Sequence, residues 1–148
     1  MIRPAAPPDQ AAVEAIVRDA YAIYVNRIGK PPGPMLDDYA ALIRAGTVSV
    51  LEDQSRQIGA ILVLLARPDH LLLDNIAVRR DRQGQGLGRR LIAFAEAEAQ
   101  RLGFREIRLY THQMMTENIA LYARVGFVET GRGRDAGYDR VFMAKPLP

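Results

Sequence analysis

Apolar residues recur along this chain with two different periods, and the points where one gives way to the other divide it into elements. In residues 9–25, DQAAVEAIVRDAYAIYV, the positions Val13, Ile16, Val17, Ala20 and Tyr24 fall three or four apart. That spacing predicts a helix, with Asp9 as its N-cap. The run GKPPGP (29–34) breaks the chain, and MLDDYAALIRAG (35–46) predicts a short second helix closed by Gly46. TVSVLED (47–53) and QIGAILVLLA (57–66) predict two strands joined by a hairpin turn at 53–56. HLLLDNIAV (70–78) is a further apolar strand, and a short one lies at Ile2. After a glycine-rich turn the helical period returns, with Leu87, Leu91, Phe94, Ala95 and Leu102 as the expected buried stripe. REIRLYT (105–111) predicts a strand with Ile107 and Leu109 on one face. ENIALYARVGF (117–127) predicts a short helix ended by Gly126, and FVETG (127–131) and YDRVFMAKPL (138–147) two last strands. The order is a mixed α/β pattern whose first crossover, through residues 84–103, is expected to join parallel neighbours in a right-handed sense.

With 148 residues and no repeat or linker, the chain is expected to form a single domain, residues 1–148. Composition narrows the chemistry: there is no cysteine, which removes thiol nucleophiles, disulfides and zinc–thiolate sites. The two histidines, His70 and His112, are too far apart in sequence for a local metal-ligand pair, so no metal is expected. No secretory signal opens the sequence and no apolar run is long enough to span a bilayer, which predicts a cytoplasmic protein without a membrane partner. The net charge of +3 comes almost wholly from arginine, since Lys30 and Lys145 are the only lysines. The arginines are scattered except for Arg79, Arg80, Arg82, Arg89 and Arg90. One local cluster suits a small polyanion better than nucleic acid, which calls for a longer basic stripe.

That cluster surrounds the segment RRDRQGQGLGRR, in which Gly84, Gly86 and Gly88 alternate between a strand and a helix. Glycine backbone permits close approach, and amides at a helix N-terminus favour an anion. A ligand-free tight turn is the plain alternative. The P-loop pattern fails because Arg89 stands where its lysine would be sought. The dinucleotide pattern GxGxxG fails because Arg89 replaces its third glycine.

The segment Gln83-Gly84-Gln85-Gly86-Leu87-Gly88 does match Q/R-x-x-G-x-G/A. With LDNIAV before it and NIALYARVGF some thirty residues after it, the chain over residues 71–130 resembles the GNAT superfamily of acetyl-CoA-dependent N-acetyltransferases. The resemblance implies the acyl-CoA N-acyltransferase fold: a mixed, mostly antiparallel sheet of six to seven strands with helices on both faces. It implies that the amides of Gln83, Gly84, Gln85, Gly86, Leu87 and Gly88 grip the pyrophosphate of coenzyme A. The backbone of Ile76, Ala77 and Val78 would pair with the pantetheine arm, as an added strand pairs with a free sheet edge. Arg89, in the first helical turn, is the arginine expected to face the phosphates.

The reaction so implied is transfer of the acetyl group from acetyl-CoA directly to an amine. No serine stands in a nucleophile elbow, which agrees with a route that needs no covalent enzyme intermediate. Asn118 and Tyr122, four apart, share a helix face. By resemblance Asn118 contacts the coenzyme arm, while Tyr122 contacts the coenzyme and protonates the departing thiolate; otherwise Tyr122 is a core aromatic and Asn118 a cap. For the base, Asp74, His112 and a water chain all stay open; relatives place a glutamate near the position of Tyr110. Strict alternation would put Asp74 on the face of Ile76 and Val78, unless a bulge intervenes. Residues 21–39 are expected to form a flap over the acceptor, where Tyr21, Tyr24, Tyr39, Asp37 and Asp38 are suited to a small cationic amine. The plainer role for Asp37 and Asp38 is to favour a helix N-terminus. A coenzyme sensor without catalysis and a basic nucleic-acid-binding module are the rival functions, and a homodimer is left open.

Overall fold

A computed structural model describes residues Met1–Pro148. The elements run β1 (Ile2–Pro4), α1 (Gln10–Ile28), α2 (Tyr39–Arg44), β2 (Val48–Glu52), β3 (Ile58–Ala66), β4 (Leu71–Val78), α3 (Leu87–Arg101), β5 (Glu106–His112), α4 (Thr116–Arg124), β6 (Val128–Asp135) and β7 (Tyr138–Pro146). Short 3-10 turns precede α1, α2 and α3. The strands form one seven-stranded sheet in the order β1-β2-β3-β4-β5-β7-β6. Every neighbouring pair is antiparallel except β4 and β5. The mixed, mostly antiparallel sheet and the parallel crossover through α3 are as the sequence predicts.

Alternation along the central strands sends side chains to two cores. Ala60 and Leu62 of β3 join Leu91, Ile92, Ala95 and Ala99 of α3 on one face. Ile61 and Val63 join Val13, Ile16 and Val17 of α1, with Ile43 of α2, on the other. The α3 stripe differs from expectation at its end: Leu102 is exposed, and Ile92 and Ala99 are buried instead. The helix ends at Arg101, so Leu102 lies past the last turn that faces the sheet. The second predicted helix is also shorter, because Gly33–Leu36 forms a separate turn and Asp37 is extended.

Two features of β4 position the site. Its ladder with β5 covers only Leu71 and Leu72, so the strands part beyond that point and the edge of β4 from Leu73 to Val78 has no strand beside it. Its register with β3 slips at Asp74: Val63 faces Asn75, while Leu64 faces Leu73. The extra residue changes which face each later side chain takes. Leu71 and Leu73 point to the α3 core, and after the bulge Ile76 does so too, although parity alone would send it the other way. Ala77 goes to the α1 core.

Candidate active site

The split between β4 and β5 opens a groove of about 420 Å³, walled by α1 on one side and by the start of α3 and by α4 on the other. Its floor is the free edge of β4 at Ile76, Ala77 and Val78. The carbonyls of Ile76 and Val78 face this edge: Ile76 O lies 3.0 Å from Tyr21 Oη, and Val78 O accepts from Gln83 Nε2 (3.3 Å). Backbone groups of this kind are available to an extended ligand.

At the groove's far end the glycine loop turns into α3. Gly84 and Gly86 have φ of 79° and 81°, left-handed values that strain any residue with a Cβ. Gly86 is the N-cap of α3 and supplies no side chain, so the first amides of the helix are left open to the groove. Gln83, Gly84, Gly86, Leu87, Gly88 and Arg89 line it; Gln85 is exposed and does not. Of the clustered arginines, Arg82 is held by Asp53 (2.5 Å) and Arg79 by Asp81 (2.8 Å). Arg89 and Arg124, the latter from the end of α4, reach the groove without an ion-pair partner. Arg124 had no sequence signal, because only the packing of α4 beside α3 brings it there.

A second, smaller cavity of about 30 Å³ lies beyond the groove, and Tyr21 and Asn118 line both. Tyr122 lines this inner cavity, so it sits past the groove's end. Its ring is buried edge-on against Phe127, centroids 5.7 Å apart. Burial pushes its phenol well above the ordinary range, which keeps the proton on at neutral pH.

Asp74, the bulge residue, lines the same cavity and receives a hydrogen bond from Tyr110 Oη (3.3 Å). Burial raises its pKa, with Tyr110 and the positive Arg67 and Arg140 opposing. His112 also lines the cavity, but its Nδ1 accepts the amide of Met114 (3.1 Å). In the neutral ring that leaves the proton on Nε2, and burial keeps the ring neutral. With Nδ1 so engaged, the neutral ring has no free acceptor nitrogen, which speaks against His112 as the base.

The flap residues depart from the expectation of a cationic pocket. Asp38 caps α2, its carboxylate accepting from Ala41 N (3.1 Å). Asp37 borders a different depression with Glu14, Arg18 and Tyr39. Tyr21 donates to Asn75 Oδ1 (2.6 Å), Asn75 Nδ2 donates to Tyr39 Oη (2.9 Å), and Tyr39 donates to Pro34 O (2.5 Å). Tyr21 and Tyr39 thus form a satisfied buried network that fixes the flap to β4. Tyr24 packs in the α1 core. The cavity's other wall comes from β7: Tyr138 and Arg140, delivered by the Ala136-Gly137 turn, in which both residues have positive φ.

No group of three or more His, Asp or Glu comes together that could hold a metal, and no helix is long and apolar enough to cross a membrane.

Residues 44–129 match the family model described as acetyltransferase (GNAT) domain. N-alpha-acetyltransferase 80 of Mus musculus is 38% identical over 64 residues, 43% of this chain and 19% of that protein. The chain spans less than two fifths of the length of the curated relatives it matches. Among solved structures, the ribosomal-protein-S18-alanine N-acetyltransferase of Escherichia coli superposes with a TM-score of 0.79 at 25% identity, over 99% of this chain and 93% of that one. The paia N-acetyltransferase of Thermoplasma acidophilum, solved in complex with coenzyme A, superposes at 0.82 with 15% identity, over 99% and 98%.

Proposed function

The chain belongs to the GNAT acetyltransferase family, and on that premise we propose that it transfers the acetyl group of acetyl-CoA directly to an amine while both are bound. The observation that carries this reading is the junction at Tyr21 and Asn118, where a long groove with open backbone groups meets a small cavity holding an acid and a base. A groove alone would serve a sensor. The inner cavity gives catalysis its place.

In this reading the first amides of α3, with Arg89 and Arg124, hold the diphosphate end of the coenzyme. Gly84 and Gly86 let the backbone turn inward, and Leu87 and Gly88 begin the helix that faces the phosphates. Ile76, Ala77 and Val78 offer β4's free edge to the pantetheine arm, and Asn118 orients it toward the cavity. Coenzyme binding then displaces the Gln83 amide from the Val78 carbonyl.

The amine nitrogen attacks the thioester carbon, a C–N bond forms and the C–S bond breaks. Asp74 accepts the proton the amine must lose, and its raised pKa makes it the better base. Tyr122 donates its proton to the departing sulfur; the buried phenol is protonated across the physiological range. Binding both reactants at one junction supplies the orientation that a direct transfer needs.

Initial rates of thiol release, with acetyl-CoA and a panel of amines varied together, test this. Direct transfer gives intersecting double-reciprocal lines. Parallel lines would mean a covalent acetyl-enzyme, and tight acetyl-CoA binding without turnover of any amine would mean a sensor.

A further inference from the structure

Arg140 is an arginine whose setting the reaction above does not use. Its side chain is 11% exposed, and Nε is the one fully enclosed side-chain polar atom of the protein without a hydrogen-bond partner. The nearest carboxylate, Asp135, is 4.0 Å away, beyond hydrogen-bonding reach. Other arginines contrast with it: Arg27, Arg82, Arg132 and Arg134 each hold a carboxylate within 3.1 Å. A guanidinium taken out of water ordinarily meets an anion. This one is instead held flat by aromatics, its Cζ 4.4 Å from the Tyr110 centroid and 4.9 Å from that of Tyr138.

Its position in the sheet explains the fixity. Arg140 faces His112 across the β5–β7 ladder, and Tyr110 faces Phe142 two pairs further on, on the same face of the sheet. Alternation sends Val141 and Met143 into the α3 core and leaves Arg140 on the opposite face, under the flap. The flap is tied down over it: Tyr138 Oη donates to Pro31 O (2.6 Å) and Lys30 Nζ to Gly137 O (2.7 Å). Lys30 also lies 4.1 Å over the Tyr138 ring. The cavity wall thus carries Arg140 and His112, and Lys30 lies behind Tyr138. The cavity's carboxylate, Asp74, lies at the other side of Tyr110.

We propose that Arg140 is the binding site for a carboxylate of the acceptor, so that the amine acetylated is amino-acid-like, with a free carboxylate close to its nucleophilic nitrogen. This rests on the acetyl-transfer reading and adds the acceptor's chemical class. Both groups of such a molecule find a partner in the cavity's lining: Arg140 for the carboxylate and Asp74 for the nitrogen. The cavity is small, about 30 Å³, and partly open, which suits a compact polar group. A carboxylate fits that space, and a planar fork of N–H donors suits it. A polyamine would set a second positive charge beside Arg140 and Lys30, which the site disfavours.

The test is thiol release from acetyl-CoA with the free L-amino acids and, for each, its α-carboxamide. At least one free acid is expected to be used with a kcat/KM tenfold or more above that of its amide. In Arg140→Gln that ratio is expected to fall to near one, while KM for acetyl-CoA is retained. Arg140→Lys, which keeps the charge and the contact with the rings, guards against misfolding and is expected to lose most of the preference. Amides used as well as acids overturn the proposal, as does an unchanged ratio in a folded variant. Turnover confined to amines without a carboxylate overturns it and leaves acetyl transfer standing. No acetyl-CoA binding at all would instead remove the reading on which it rests.

Discussion

In the proposed reaction Tyr122 and Asp74 have opposite tasks, and burial raises the pKa of both. For the tyrosine, that keeps the acid protonated; for the aspartate, it strengthens the base. Tyr122→Phe keeps the ring against Phe127 and removes only the hydroxyl. It is expected to lower kcat by about 10²–10⁴-fold, with acetyl-CoA affinity nearly unchanged. Asp74 works ionised, so kcat falls as pH drops through its raised pKa. The acid limb of the kcat profile should therefore stand above the ordinary aspartate value of about 3.9, and Asp74→Asn should abolish that limb in the activity that remains. Asp38 belongs to the same scale with the opposite result. Since its carboxylate caps α2, Asp38→Ala should cost about 0.5–2 kcal/mol of stability. Asp38→Asn should cost little, because asparagine caps as well, and both KM values should stay put in either variant.

Between elements, the groove is spanned near its rim by Arg27 of α1 and Glu117 of α4, paired through both guanidinium nitrogens at 2.7 and 2.8 Å. Arg27 holds the Glu117 carboxyl down to about 2. Both side chains are exposed, and such pairs contribute little to global stability. The pair instead links α1 to α4 across the groove. Glu117→Gln should leave the melting temperature within experimental error and raise the dissociation rate of acetyl-CoA, read by stopped flow. A depressed carboxyl pKa means the link is present above the unfolded value, about 4.3, and is lost as pH falls toward 2. An unchanged off-rate would mean that the pair is surface decoration.

For the molecule as a whole, the proposed coenzyme site is the gap that a strand would occupy between the diverging ends of β4 and β5. Filling that gap supplies partners to the free edge and should stabilise the fold. At a hundred times its dissociation constant, acetyl-CoA should add about 2.7 kcal/mol, a rise of roughly 5–11 °C in melting temperature for a domain of this size. Gly86→Val should remove that rise. A Cβ at Gly86 meets no protein atom within 4 Å, so its effect comes from forcing a side chain onto a left-handed residue at the mouth of α3. A full thermal shift in the folded variant would separate the loop from coenzyme binding.

What the sequence determined by itself is what local patterns encode. The apolar periods gave the helices and strands, and Gln83–Gly88 marked the turn into α3 because glycine alone accepts its left-handed residues. Tyr122 and Asn118 shared a helix face by spacing. Tertiary structure decided which residues meet across distance. The bulge at Asp74 is invisible in LLLDNIAV, since it is defined by a slip against β3, yet it sets where every later residue of β4 points. For Asp37 and Asp38 the sequence offered two roles, acceptor ligand or helix N-terminus, and backbone geometry decided for Asp38, since α2 begins one residue after it. Tyr110 and Arg140 lie thirty residues apart and touch only because β7 pairs with β5 in one register, which puts a guanidinium over a phenol ring. Register depends on the sum of contacts along two strands and on the turn that joins β6 to β7. No single stretch of sequence carries that information, and so the acceptor side of the site had to await the fold.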